Sequence, residues 1–196
     1  MADNAPSPPP AQRKPRADAA RNRELLLETA KTVFAAKGPS ASLDEIAKAA
    51  SVGIGTLYRH FPTRDALVEQ VYRKETALLS DAVPRLLAAH PPVEALRQWL
   101  FLFIDYFGTK QIMASALATI PGRTAELYAI STTLLTTAIN TLAARAVESG
   151  DIVLNVEPID LIRAVAGVAS LSAAPGWEEN ARRMVDILIN GLQVKK

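Results

Sequence analysis

Residues 51–69 read "SVGIGTLYRHFPTRDALVE". Small residues lead into an unbroken run of Thr56, Leu57, Tyr58, Arg59, His60 and Phe61, and Pro62 ends it. Coiled as a helix, the run puts Leu57 and Phe61 (spacing i, i+4) on one face, where they can join Phe34 and Ile46 in a core. Thr56, Arg59 and His60 then share the opposite face, with Tyr58 to one side. Glycines at the helix start let backbone N–H groups come close to an anion. Hydroxyl, imidazole and guanidinium groups on one exposed face are the chemistry that contacts nucleic-acid phosphates.

The flanking sequence gives the run a setting. Leu26, Ala30, Val33 and Phe34 recur at helical spacing through residues 17–37, and Gly38 stops that helix. Ser42 followed by Glu45 is a capping box, which starts a short helix over 43–50. The turn "SVG" joins it to a second short helix over 54–60. Pro62 separates that from a fourth helix, running from Thr63 or Arg64 to about Leu79. Two short helices joined by a tight turn, with a longer helix on either side, form a helix-turn-helix arrangement.

Beyond Pro84 the pattern predicts helices over about 93–107, 111–119, 123–148, 158–172 and 177–193. Pro91-Pro92, Gly108, Pro121-Gly122, Gly150, Pro158 and Pro175-Gly176 punctuate them. No segment alternates as a strand does. The expected fold is all-α with about nine helices. A basic, Pro-rich tail (1–16) precedes a three-helix DNA-binding domain (17–63) and a larger helical effector-binding and dimerisation domain (64–196).

Residues 50–67, "ASVGIGTLYRHFPTRDAL", carry the motif of the TetR family of bacterial transcriptional regulators, and residues 18–75 resemble that family's DNA-binding domain. The resemblance implies phosphate contacts from Thr56, Tyr58 and His60, with Arg64 reaching the DNA backbone from the fourth helix. It implies that Ile54, Gly55 and Arg59 face base edges and that Ser42 binds a phosphate at the start of the second helix. It also implies a ligand-responsive regulator, most often a repressor, acting as a homodimer on a palindromic duplex. Ser51 departs from the family's usual glycine; a left-handed backbone there costs a side-chain-bearing residue about 1 kcal/mol.

Charge is distributed to match. Residues 10–64 hold ten Lys or Arg against five acids, while residues 65–196 hold twelve against fourteen. A basic front on a near-neutral body suits a polyanion partner, although a solvated charged surface has the same composition. Arg13, Lys14 and Arg16 form either a solvated tail or an arm for a minor groove. Cysteine is absent, which fits a cytoplasmic protein, and no stretch of about 18 uncharged apolar residues suggests a membrane span. With no Cys and only His60 and His90, Cys–His and zinc sites are excluded; no cofactor, metal or catalytic role is expected.

The last two expected helices suit dimerisation. Residues 158–174 are rich in Ala and Gly, and 177–192 carry apolar residues at spacings of three and four. Leu161, Val165, Gly167, Val168, Trp177, Met184 and Leu188 are the candidate interface, unless the same face packs within its own subunit. Trp99, Phe103, Tyr106, Phe107 and Met113, with Thr133, Thr136 and Asn140, are candidate walls for a small-molecule pocket. The threonine hydroxyls have two available partners, a ligand or the carbonyl four residues back. A helical adaptor without sequence-specific DNA binding is the alternative, and it leaves the Thr-Tyr-Arg-His face unexplained.

Overall fold

The computed structural model describes residues 14–118, 120, 122–171 and 176–194. Eight α-helices follow one another: α1 Lys14–Lys37, α2 Leu43–Ala49, α3 Ile54–His60, α4 Arg64–Ala89, α5 Pro92–Ala118, α6 Thr124–Glu148, α7 Pro158–Leu171 and α8 Trp177–Leu192. A 3₁₀ turn, Gly38–Ser40, joins α1 to α2. The only strand-like pairing among the described residues is an isolated bridge between Ile152 and Gln193.

Local chemistry sets the first boundaries. The Ser42 hydroxyl accepts from the Glu45 N–H at 3.2 Å while the Glu45 carboxylate accepts from the Ser42 N–H at 3.1 Å, which starts α2. At its end, Val52 N–H donates to Ala47 O and Ser51 N–H to Lys48 O, the paired bonds of a Schellman turn. Such a turn places its pivot in the left-handed region, and Ser51 has φ +54°. Leu26, Ala30, Phe34, Ile46, Leu57 and Phe61 close around one another as the core of this head.

Two long helices differ from the sequence expectation. α4 continues ten residues past Leu79 with Pro84 inside it. Leu79, Ala82 and Val83 are buried around the proline, and the Trp99 indole N–H donates to the Leu79 carbonyl at 2.9 Å. Tertiary packing therefore outweighs the missing backbone donor. α5 is one helix where two were expected, because Gly108 does not break it. A Cβ at Gly108 would lie 3.2 Å from the Trp177 ring, so the glycine serves as a slot for that indole.

In the body, α4, α5 and α6 pack together, and α7 and α8 close against α5 and α6. α6 is long and apolar enough in composition to cross a membrane. Here it buries Leu127, Leu135, Ile139 and Leu142 in the common core.

Candidate nucleic-acid interface

α3 presents the face its sequence suggested. Leu57 is fully buried, and Ile54, Gly55, Tyr58 and Arg59 are exposed, Tyr58 by 50%. Thr56 and His60 are partly exposed beside them. Arg59 lies back along its own helix, Nε donating to the Gly55 carbonyl at 3.2 Å and Nη2 to the Thr56 hydroxyl at 3.1 Å. Both bonds are solvent-exposed, so the guanidinium can swing outward at small cost. Ser42 is exposed at the start of α2, its hydroxyl already an N-cap acceptor. Arg64 behaves differently: its guanidinium lies 5.3 Å from the centre of the Phe34 ring and its Nε reaches the Ala41 carbonyl at 3.5 Å. It ties the start of α4 to the head core. Of the basic arm, Arg13 and the side chains of Lys14 and Arg16 lie outside the described residues.

α4 joins this head to the body by opposite faces. Toward α1, Gln70 accepts from Arg23 at 2.7 Å, Lys74 pairs with Glu24 and Glu28, and Glu75 pairs with Lys31 at 2.6 Å. On the other side Tyr72, Arg73 and Thr76 line a cavity of about 120 Å³ against Leu127, Ile130, Ser131 and Leu134 of α6. The helical period of 3.6 residues puts the two sets half a turn apart.

Three hydroxyls of that lining, Tyr72, Thr76 and Ser131, join the Tyr106 hydroxyl of α5 in one group. Ser131 donates to the Tyr128 carbonyl at 3.0 Å, a group that only accepts. Its single proton being spent, Ser131 accepts from Tyr72 at 2.7 Å, and Tyr72 accepts in turn from Tyr106 at 3.2 Å. Thr76 donates to the Tyr72 carbonyl at 3.0 Å. All four protons are committed, so the group offers lone pairs to anything entering. Burial pushes the Tyr72 hydroxyl well above the ordinary phenol range, keeping it protonated. A larger cleft, about 250 Å³, opens between α1, α4 and α5, with the closed Lys31–Glu75 pair in its wall.

Two family models match the chain: residues 26–71 match "Bacterial regulatory proteins, tetR family", and residues 91–194 match "Transcriptional regulator SbtR-like, C-terminal domain". The second match spans more than half of the chain. This protein belongs to the TetR family of transcriptional regulators. A crystal structure of a TetR transcriptional regulator from Streptomyces coelicolor is 41% identical, with TM-score 0.81, over 89% of this chain and 99% of that one. One from Mycobacterium vanbaalenii is 32% identical, with TM-score 0.75, over 91% and 99%. The probable acrEF/envCD operon repressor of Escherichia coli K12 is 32% identical over 97 residues, 48% of this chain and 44% of that protein. The chain thus aligns with under half the length of that curated relative.

In this TetR-family body the expected pocket and dimer residues fall differently. Trp99, Phe103 and Met113 are buried core side chains, Trp99 stacked on Phe103 at 6.2 Å. Phe107 packs edge-on to Trp177. Tyr106 lines the larger cleft, besides its bond to Tyr72. Thr133 and Asn140 are exposed and Thr136 is partly so; none lines the α4–α6 cavity. Thr133 instead donates to the Ala129 carbonyl at 3.0 Å. Leu161, Val165 and Trp177 turn inward and are buried within the protomer, Trp177 being held in the Gly108 slot. Gly167, Val168, Met184 and Leu188 stay partly open, joined by Ile187, which is 64% exposed.

Sequence reading missed Tyr72, Arg73 and Thr76 as site residues. The i, i+4 pair Tyr72 and Thr76 on α4 was the available signal, hidden because the fourth helix, expected to end near Leu79, was given no site residue beyond Arg64. Asp105, on α5, pairs with Arg182 at 2.6 Å on the surface. Among the described residues no group of three or more His, Asp or Glu side chains can hold a metal ion.

Proposed function

We propose that this TetR-family regulator is a homodimeric, cytoplasmic repressor that grips a palindromic DNA operator with α3 and is released by a small molecule lodged between α4 and α6. The observation that carries this reading is the double duty of α4. Tyr72, Arg73 and Thr76 face the cavity, while Gln70, Lys74 and Glu75 hold α1 from the other side. A ligand that displaces α4 by even a fraction of a turn moves the head with it, because three polar links join the two helices. Such coupling is typically worth about 1–3 kcal/mol, and DNA must then weaken ligand binding by the same factor.

Two heads held about one DNA turn apart need a dimer. The outward stripe of Val168, Met184, Ile187 and Leu188, with the open Gly167, supplies an apolar face for it. Ile187→Glu should dissociate the dimer by burying an unpaired charge in that seam, read by light scattering. Tyr58, Arg59, His60 and Thr56 make the DNA contacts, with no catalytic step in the assignment.

The release mechanism is tested by filling the cavity without a ligand. Leu134→Trp places an indole at its mouth and leaves every hydroxyl in place. Affinity for a duplex selected from a random pool should fall by about 5- to 150-fold. An unchanged affinity in a folded, dimeric variant would end the effector reading and leave the DNA-binding reading standing.

A further inference from the structure

Arg73 lines the α4–α6 cavity; Glu69 and Arg123 are linked to it by ion pairs, and Lys110 stands one ring away, on Tyr128. Glu69, 9% exposed, pairs with Arg73 at 2.9 Å and with Arg123 at 3.3 Å, and can neutralise only one of them. Arg73, which lines the cavity, spends only its Nε on that pair; its two Nη groups have no partner among the described residues. On the neighbouring side the Lys110 ammonium lies 4.7 Å from the centre of the Tyr128 ring, and that ring sits edge-on to Tyr72 at 5.9 Å. Lys110 has no carboxylate partner among the described residues, and burial alone lowers its pKa from the ordinary lysine value. Glu126, also on α6, is exposed to water.

With Glu69 shared between them, Arg73 and Arg123 keep a net positive charge that attracts an anion. The hydroxyl group inside the cavity offers only lone pairs, from Ser131 foremost, and so favours a hydrogen-bond donor. Volume sets the size: the cavity measures about 120 Å³, below the roughly 150 Å³ that holds benzene, so one ring more than fills it and the carboxylate stays at the open rim beside Arg73. We propose that the effector is a small carboxylic acid of about one ring, its carboxylate held by the free Nη groups of Arg73 and its far end donating a hydrogen bond to Ser131. Lys110 adds attraction from the Tyr128 side. Arg123 retains Glu69 when the Arg73 fork turns to the ligand. This assignment rests on the effector reading of the same cavity.

The test uses the full-length dimer and four probes: benzoate, 4-hydroxybenzoate and their uncharged amides, benzamide and 4-hydroxybenzamide. Calorimetry should show each acid binding about tenfold or more tightly than its amide, with 4-hydroxybenzoate the tightest. Arg73→Gln, at a side chain already 36% exposed, should erase the acid-over-amide preference while the variant keeps its melting temperature. Arg73→Lys should restore part of it. Amides binding as well as acids, a preference that survives Arg73→Gln, or no binding by any probe would each overturn the assignment. In those cases the Leu134→Trp effect on DNA affinity still decides the effector reading by itself, so the two failures are distinguishable.

Discussion

α3 and α6 are both built from hydroxyl-bearing residues set among apolar ones, yet they use them in opposite ways. On α3 the polar face points to solvent, and its one intramolecular bond to a neighbouring side chain is the loose Arg59–Thr56 contact. On α6, Thr132, Thr133, Thr137 and Thr141 each donate to the carbonyl four residues back, at 2.8–3.0 Å. Ser131 differs: its hydroxyl also bonds a side chain of another helix, the Tyr72 phenol. A polar face is available for recognition when its donors are unspent, and residue type alone does not reveal which donors are spent.

Breaking the buried hydroxyl bond between α6 and α4 should have the largest effect on folding. Tyr72→Phe strands the Tyr106 proton and removes the donor to Ser131 in a buried setting, at a cost of about 1–3 kcal/mol by urea unfolding. A loss no greater than that of a surface threonine would mean that α6 is held by apolar packing alone. On the α3 side the strain sits in the turn before the helix. Ser51→Gly should stabilise the head by about 1 kcal/mol, since Ser51 alone among the described non-glycine residues has positive φ. Hydrogen exchange in α2 and α3 should slow accordingly, and unchanged exchange would show that the turn carries no strain.

Smaller effects sharpen the contrast. Thr133→Ala and Thr137→Ala should change stability by no more than about 0.5 kcal/mol and leave DNA affinity intact, because those hydroxyls serve only their own helix. A large loss of affinity would assign the threonine face a partner. Glu45 gives a pH signature to the head. The Lys37 ammonium first, then the Ser42 N–H, hold its carboxyl at about 2, below the usual 4.5. With the folded value depressed, its stabilisation is complete above pH 4.5 and fades as pH falls through about 2. Carboxyl-resolved NMR titration of Glu45 should show that displaced midpoint, and Lys37→Met should raise it.

The head was legible because its information is local. The capping box at Ser42, the turn at Ser51 and the buried pair Leu57 and Phe61 lie within a span of twenty residues, and each has one satisfying geometry. In the body, legibility failed where a long-range contact overrode a local signal. Gly108 and Pro84 read as breaks, and the indoles of Trp177 and Trp99 explain why neither is one. The expected pocket aromatics show the same effect. Trp99, Phe103 and Met113 filled the core, and the space opened beside Tyr72 and Ser131, where four hydroxyls bring α4, α5 and α6 together. The apolar stripe of α8 was half legible. The sequence period found an amphipathic α8, but which of its two apolar edges turned inward depended on the slot at Gly108.

The direct test of the central claim is fluorescence anisotropy of the full-length protein on duplexes enriched from a random pool, wild type beside the combined Tyr58→Ala, Arg59→Ala and His60→Ala variant. The account predicts an enriched palindrome, affinity that falls steeply with salt as counterions are released, and a loss of about 3 kcal/mol or more in the variant without a change in melting temperature. No enriched sequence, or a variant that binds the duplex as tightly as wild type, would contradict it.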